Sequence, residues 1–268
     1  MKTIILLSLI GTAVLAQSVS HDTMHEVSRI MEKQDDNRWN KETKLITLLA
    51  NDLPDIDKGA IYLSLTRNII GPGFDSSIPR EPQIEKVLEY ANDALLYPQS
   101  PLDQCQLYGY LHNALRAKYS TNIIGNREHL VLPLLKALNV ISSNLTIAEK
   151  QPRITGFVYN GDDDTNSALY QQNMTEMNAL IEHQNQIIFQ NKLLDYKGKY
   201  ISWVIALYSQ PPDTLSDLDK LANNIIGDPA MINELLDDTR HALERFVPKV
   251  QSTTDKPAPR RDVPPSTD

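Results

Sequence analysis

Cysteine is nearly absent from this sequence, since Cys105 is the only one among 268 residues. A disulfide within the chain is therefore impossible, and a scaffold held together by disulfides is excluded. The sequence also lacks the phosphate-binding loop, the dinucleotide-binding fingerprint and the GxSxG and HExxH motifs. It identifies no reaction and no cofactor, and its fold must depend on a hydrophobic core.

Positive charge is in deficit, with 26 lysines and arginines against 34 aspartates and glutamates and a net charge of −8. A chain of this sign is repelled by phosphate groups, which argues against a nucleic-acid or anionic-membrane partner. Beyond residue 16 no segment approaches the roughly 18 uninterrupted apolar residues of a membrane helix. The sequence therefore predicts no membrane span in that part of the chain.

Ligand sets for a metal ion are incomplete. His21 and His25 have the four-residue spacing of a zinc-binding helix, but no glutamate lies between them and no third ligand is evident. The run Asp162–Asn166 begins like a calcium-binding loop, yet Ser167 occupies the place of the sharp-turn glycine and Asn173 that of the bidentate glutamate. The sequence predicts no metal site.

The first residues have the pattern of a secretory signal peptide. Lys2 precedes an apolar run from Thr3 to Ala16 that ends in small residues. We expect cleavage after Ala16, a mature chain that begins at Gln17, and export to the periplasm or the exterior. Asn144 and Asn173 begin N-glycosylation sequons, which have meaning only in a eukaryotic source.

The region between Pro82 and Gly125 contains the clearest helical pattern. Apolar residues recur at three- and four-residue intervals from Ile84 to Leu95, which predicts a helix with one buried face. Ser100 is a favourable N-cap, and Pro101 suits the first position of a second helix. The two helices form an antiparallel hairpin that cannot cover its own apolar face and so requires neighbouring helices.

Similar periodicity elsewhere predicts an all-α fold, in which antiparallel hairpins pack as a short solenoid or an irregular bundle. One helical domain is expected over 17–248, after the signal peptide at 1–16 and before a disordered proline-rich tail at 249–268. The main alternative to helix is a short strand or an extended loop at 153–159. Two separate helices are expected over 167–195 and 198–209.

The tetrapeptide Asn-Ile-Ile-Gly occurs three times, at Asn68–Gly71, Asn122–Gly125 and Asn224–Gly227. Each copy fits a helix end at which the glycine adopts the left-handed conformation. The spacing of the first two copies is close to half that of the last two. Internal duplication and independent helix capping therefore both remain open.

A helical wheel separates the residues of the second hairpin helix into two arcs. Leu107, Leu111 and Cys105 fall on one arc, which predicts a buried face and an inert thiol. Polar groups and a tyrosine share the opposite arc. The residues of this open arc are Asp103, Gln106, Tyr110 and Asn113.

The hairpin resembles the junction between two tetratricopeptide repeats over about residues 84–115. Ala94, the nearby proline and the Tyr108-Gly109 pair carry the resemblance, while Cys105 stands where that family favours a large aromatic residue. The resemblance implies that small residues allow close helix packing at Ala94 and Gly109. It also implies a ligand groove that includes Asp103, Gln106, Tyr110 and Asn113.

Two classes of function agree with these features. The first is a non-catalytic interaction module that holds another exported protein or peptide in a tyrosine-bearing groove, in keeping with eleven tyrosines against four phenylalanines. The second is an all-helical hydrolase whose carboxylates come from separate helices. The interaction module is the preferred interpretation and the hydrolase is the alternative, and the sequence does not predict an oligomeric state.

Overall fold

The computed structural model describes residues 19–34, 36–70, 73–74, 79–145, 168–208 and 215–246. These ranges contain nine α-helices, one short 3₁₀ helix and no strand. The predicted all-α fold is confirmed there. The helices are α1 (His21–Glu32), α2 (Arg38–Leu49), α3 (Asp55–Ile70), α4 (Arg80–Leu95), α5 (Pro101–Lys118), α6 (Arg127–Asn144), α7 (Ala168–Tyr208), α8 (Leu215–Ile225) and α9 (Pro229–Phe246).

Several predicted segments lie outside the described residues. They are the signal peptide at 1–16 with its cleavage site between Ala16 and Gln17, the strand or loop at 153–159, the acidic run that begins at Asp162, and the tail at 249–268. None of the helices in the described part of the chain combines the length and the apolar character that a membrane span requires.

Local capping chemistry fixes several helix starts. The Ser100 side chain accepts a hydrogen bond from the Asp103 backbone N–H, and Pro101 occupies the first turn of α5, as predicted. At the starts of α1 and α2, the side chains of Ser20 and Asn37 accept the capping hydrogen bonds from backbone N–H groups.

The longest helix contradicts the prediction of two helices over 167–195 and 198–209. Residues Ala168–Tyr208 form one uninterrupted helix of 41 residues, about 60 Å long. Gly198 lies inside it on an open face. Leu193, Tyr200 and Val204 are fully buried on either side of Gly198, so packing holds the helix together across a residue of low helix propensity.

The helices pack in a progressive row. Contacts join most neighbouring helices along the chain and also join α1 to α3, α3 to α5, α5 to α7 and α7 to α9. The odd-numbered helices therefore form one continuous layer. A cluster from α1 to α5 forms one end of the core, and a larger cluster from α5 to α9 forms the other.

The recurring Asn-Ile-Ile-Gly tetrapeptide does not form three equivalent helix caps. Among the described residues only Gly73 has a positive φ, so the left-handed conformation expected at Gly125 and Gly227 is wrong. Asn68 is buried within α3, whereas Asn122 lies in the loop after α5 and caps the Gly125 N–H. Gly227 instead donates its N–H to the Asn139 side chain. Tertiary context gives the same four residues different roles.

A buried carboxylate joins α1 to α3. Asp57 is 1% exposed, and its oxygens accept hydrogen bonds from the Ser20 N–H, the Ser20 hydroxyl and the Thr23 hydroxyl at 2.6–2.8 Å. Desolvation raises the pKa of Asp57, but the hydrogen bonds from Ser20 and Thr23 outweigh it and lower the pKa below its usual value. The ionised carboxylate therefore stabilises the fold.

We expect Asp57→Asn to lower the unfolding free energy by about 1–3 kcal/mol at neutral pH, because hydrogen bonds to a charged acceptor are replaced by weaker ones. The folded-state pKa is depressed, so the wild-type advantage is present above the unfolded pKa of about 4 and is lost as the pH falls through the folded pKa. Urea unfolding across this pH range measures the difference. Asp55→Asn, at an exposed position in the same helix, is the control and should show almost no effect.

Candidate functional site

An open groove lies on the layer of odd-numbered helices. It has a volume of about 550 Å³ and is lined from three helices. The α3 helix contributes Arg67, and the start of α5 contributes mainly polar groups. Successive turns of α7 contribute charged and aromatic side chains. The lining residues outside α3 are Ser100, Leu102, Asp103, Gln106, Lys192, Asp195, Tyr196 and Lys199.

Two of the four residues predicted for a groove line it directly. Asp103 and Gln106 face the groove, and the Gln106 amide donates a hydrogen bond to the Tyr110 phenol oxygen at 2.5 Å. The Tyr110 ring is half-buried against the cluster of α1–α5, so it is not the fully solvent-facing side chain that the wheel predicted. Asn113 is exposed further along α5 and is not among the lining residues.

Arg67 is one of the groove residues that the sequence did not reveal. One guanidinium nitrogen lies 3.0 Å from Asp103 Oδ1, and the same nitrogen donates to the Gln106 side-chain oxygen. The sequence of α3 contained a signal for this position. An alignment of Asp57 with Asp103 also matches Ile61 with Leu107 and Leu65 with Leu111. In that alignment Arg67 falls at the position of Asn113 on the open arc.

The α7 wall combines aromatic surface with positive charge. The ring of Tyr196 stacks on that of Tyr200 with centroids 5.6 Å apart, and burial raises the pKa of Tyr196. The Lys199 ammonium lies 4.7 Å from the centre of the Trp203 ring. Lys192 adds a further cation to this wall. With Arg67, the groove holds three cations against two carboxylates, in a chain whose net charge is negative.

The thiol of Cys105 and the imidazole of His112, both on α5, are buried. Cys105 is fully buried, as predicted, and burial raises the pKa of its thiol to about 12. His112 is 2% exposed rather than at the edge of the core; its Nδ1 contacts the Leu130 carbonyl at 2.9 Å and its ring stacks on Trp203. Desolvation lowers the pKa of His112, so the ring is neutral at physiological pH.

Comparison of the chain with protein-family models, curated proteins and solved structures finds no match. The site must therefore be interpreted from its own geometry.

No group of three or more histidine, cysteine, aspartate or glutamate side chains suited to an ion occurs in the described ranges. His21 and His25 stack on each other at the exposed start of α1, with ring centroids 6.4 Å apart. The groove instead offers hydrogen-bonding groups, fixed charges and aromatic surface, which suit the binding of a polar chain.

Proposed function

We propose that this protein is a non-catalytic interaction module that binds a segment of another exported protein or peptide in the groove between α3, α5 and α7. The observation that carries the proposal is the convergence of Arg67, Asp103, Gln106 and Tyr196 from three helices on one open groove. Such a groove along the successive first helices of stacked hairpins also agrees with the resemblance to tetratricopeptide repeats.

The hydrogen bonds of the groove favour recognition over acid–base chemistry. The Asp103 carboxylate is paired with Arg67 and accepts a hydrogen bond from the Ser100 hydroxyl at 2.7 Å. Asp103 therefore serves to hold Arg67 in place, and Arg67 in turn donates to the Gln106 side-chain oxygen. The alternative of a hydrolase gains no support from this pair.

The charge of the groove indicates the kind of segment that it binds. Arg67 is neutralised by Asp103, which leaves Lys192, Lys199 and Asp195 as the remaining charged groups of the lining. Tyr196 and Leu102 provide apolar contact area between them. We expect a segment with at least one acidic side chain, because Lys192 and Lys199 outnumber Asp195 in the lining. An aromatic or aliphatic side chain should lie next to it, because the apolar surface of the groove, and above all its tyrosine, offers the contact area that dominates binding energy at such interfaces.

Replacement of Arg67 by glutamine together with Gln106 by alanine is expected to weaken peptide binding by about tenfold or more. Peptides are first selected on the wild-type protein from a random display library, and each dissociation constant is then measured by fluorescence anisotropy. Both residues are only partly buried, so the lost hydrogen bonds to Asp103 and Tyr110 should lower the unfolding free energy by no more than about 1–2 kcal/mol, which thermal unfolding checks.

The matched control is Asn113→Ala with Arg116→Gln, which removes one amide and one cation from the exposed surface of α5 outside the groove. It should bind the selected peptides as tightly as the wild type. If the control loses binding and the groove variant keeps it, the binding surface lies further along α5 than we propose. A failure to select any peptide would contradict the interaction function itself.

A further inference from the structure

The two sides of the groove differ in how far their polar groups are already paired. On the side of α3 and α5, Arg67 donates to both Asp103 and Gln106. The Ser100 hydroxyl donates to Asp103, and the Gln106 amide donates to Tyr110. These groups satisfy one another, so this side is a preformed surface with little hydrogen-bonding capacity left over. Direct polar contacts to a ligand must therefore come mainly from α7.

The α7 side presents polar groups that the protein itself does not engage. Among the described residues, nothing forms a hydrogen bond or an ion pair with the exposed side chains of Lys192 and Asp195 or with the Tyr196 hydroxyl. The Lys199 ammonium lies over the Trp203 ring, a position that leaves its N–H donors available. A ligand can therefore bind these groups without breaking contacts within the protein.

Helical geometry sets the order of these groups along the groove. Lys192 and Lys199 are seven residues apart, so they lie on one line along α7 with about 10 Å between them in the axial direction. Tyr196 lies between them and about 50° further toward α5 on the helical wheel, where its half-buried ring stacks on Tyr200. Asp195 lies about 50° to the other side of the lysine line, on the outer rim of the groove.

The size of the groove favours an extended ligand over a helical one. Its volume is about 550 Å³. A helix that placed one side chain on each lysine would need about eight residues and, at a diameter of about 10 Å, would fill roughly 900 Å³. An extended segment with about three residues per turn rises about 3 Å per residue, so positions i and i+3 point the same way about 9 Å apart. That spacing is close to the separation of the two lysines along α7.

We propose that the groove binds an extended segment with two acidic side chains three residues apart, one on Lys192 and the other on Lys199. The residues between them cross the Tyr196 ring, whose hydroxyl bonds the ligand backbone, and an apolar side chain among them contacts Leu102 on α5. Asp195, on the rim, repels a third acidic side chain and so selects against a uniformly acidic ligand. Such a ligand presupposes the binding function proposed above, and α7 then determines its specificity.

The peptides selected on the wild-type protein test the spacing of the two acidic side chains. Peptides that lose binding in the variant with Arg67→Gln and Gln106→Ala are expected to share aspartate or glutamate at positions i and i+3. In a synthetic series of one such peptide, a separation of three residues should bind at least about tenfold more tightly than separations of two, four or seven. Proline between the acidic residues should be tolerated, because this conformation has no internal hydrogen bonds. A preference for four or seven residues would indicate a helical ligand and overturn the proposal.

Charge reversal tests whether each lysine meets one acidic side chain. Lys192→Glu and, separately, Lys199→Glu are each expected to weaken binding of the same peptide by about tenfold or more at low salt, because like charges then face each other. A peptide with lysine at one acidic position should restore binding to one variant, and lysine at the other position should restore it to the other. Lys136→Glu is the matched control, since it changes the net charge equally at an exposed position on α6 and should bind normally. Equal weakening in all three variants, or no recovery with either exchanged peptide, would overturn the proposal.

Asp195→Asn tests the selection against uniformly acidic ligands. It should strengthen binding of a peptide with a third glutamate between the other two by about tenfold, and should leave the peptide with two acidic residues nearly unaffected. Failure of this ligand pattern differs visibly from failure of the binding function. Selected peptides that depend on Arg67 and Gln106 but share no acidic spacing overturn the pattern and leave the function standing, whereas the absence of any selected peptide contradicts both.

Discussion

Leu111→Ala is expected to lower the unfolding free energy by about 2–5 kcal/mol. Leu111 is 6% exposed and packs with Leu63, Ala91, Ala94 and Leu107 where α3, α4 and α5 meet. Truncation removes the transfer free energy of the side chain and leaves a cavity between three helices, because rigid neighbours collapse only partly around a missing side chain. Urea unfolding followed by circular dichroism measures the loss.

Asn113→Ala on the same helix is the control for this prediction, since Asn113 is exposed and should change the unfolding free energy by less than about 0.5 kcal/mol. Equal losses in the two variants would mean that the buried face of α5 has been misassigned. Tyr110→Ala is not a suitable control. Its ring is half-buried and accepts the Gln106 hydrogen bond, so Tyr110→Ala should itself cost stability.

Local chemistry explains why part of the fold could be predicted from the sequence. The start of α5 depends on the Ser100 side chain and on Pro101, which act within a few residues of each other. The buried face of this helix depends on apolar spacing, and Cys105, Leu107 and Leu111 are all buried as the wheel predicted. Such features can be predicted without knowing which helices pack against α5.

The continuity of α7 could not be predicted in the same way. Gly198 has low helix propensity, and the local sequence around it favours a break. In the structure the buried residues on both sides of Gly198 belong to one cluster with α5, α6, α8 and α9. The free energy of that packing exceeds the roughly 1 kcal/mol that glycine costs relative to alanine in a helix. The local sequence around Gly198 does not reveal which helices pack against α7, so this stabilisation could not be predicted from it.

The candidate groove was predictable only in part for the same reason. Asp103 and Gln106 were assigned to an open arc from the wheel of a single helix, and they line the groove. Arg67 and Tyr196 belong to α3 and α7, and only the packing of these helices on α5 brings them to the same place. A wheel of one helix contains no information about its neighbours.

Gly109→Ala is expected to destabilise the protein by about 2–4 kcal/mol, which is large for the addition of one methyl group. A Cβ at position 109 would lie 2.7 Å from the Tyr200 hydroxyl oxygen. Tyr200 is 1% exposed and donates a hydrogen bond of 2.6 Å to the Cys105 carbonyl, so its ring cannot move aside without loss of that bond. Gly109, to which the resemblance to tetratricopeptide repeats assigned close helix packing, thus lies against α7 at Tyr200.

The cost of Gly109→Ala should depend on the Tyr200 hydroxyl. Tyr200→Phe removes the clashing oxygen, and the nearest remaining ring carbons lie 3.5 Å from the new Cβ, an ordinary contact distance. By itself Tyr200→Phe costs about 1 kcal/mol or somewhat more, through the lost hydrogen bond. In a double-mutant cycle measured by urea unfolding, the combined variant should therefore be more stable than the sum of the two single losses implies, with a coupling of about 1–2 kcal/mol. Strictly additive losses would mean that Gly109 is needed for a reason other than the approach of Tyr200, and that α5 and α7 do not meet at this point.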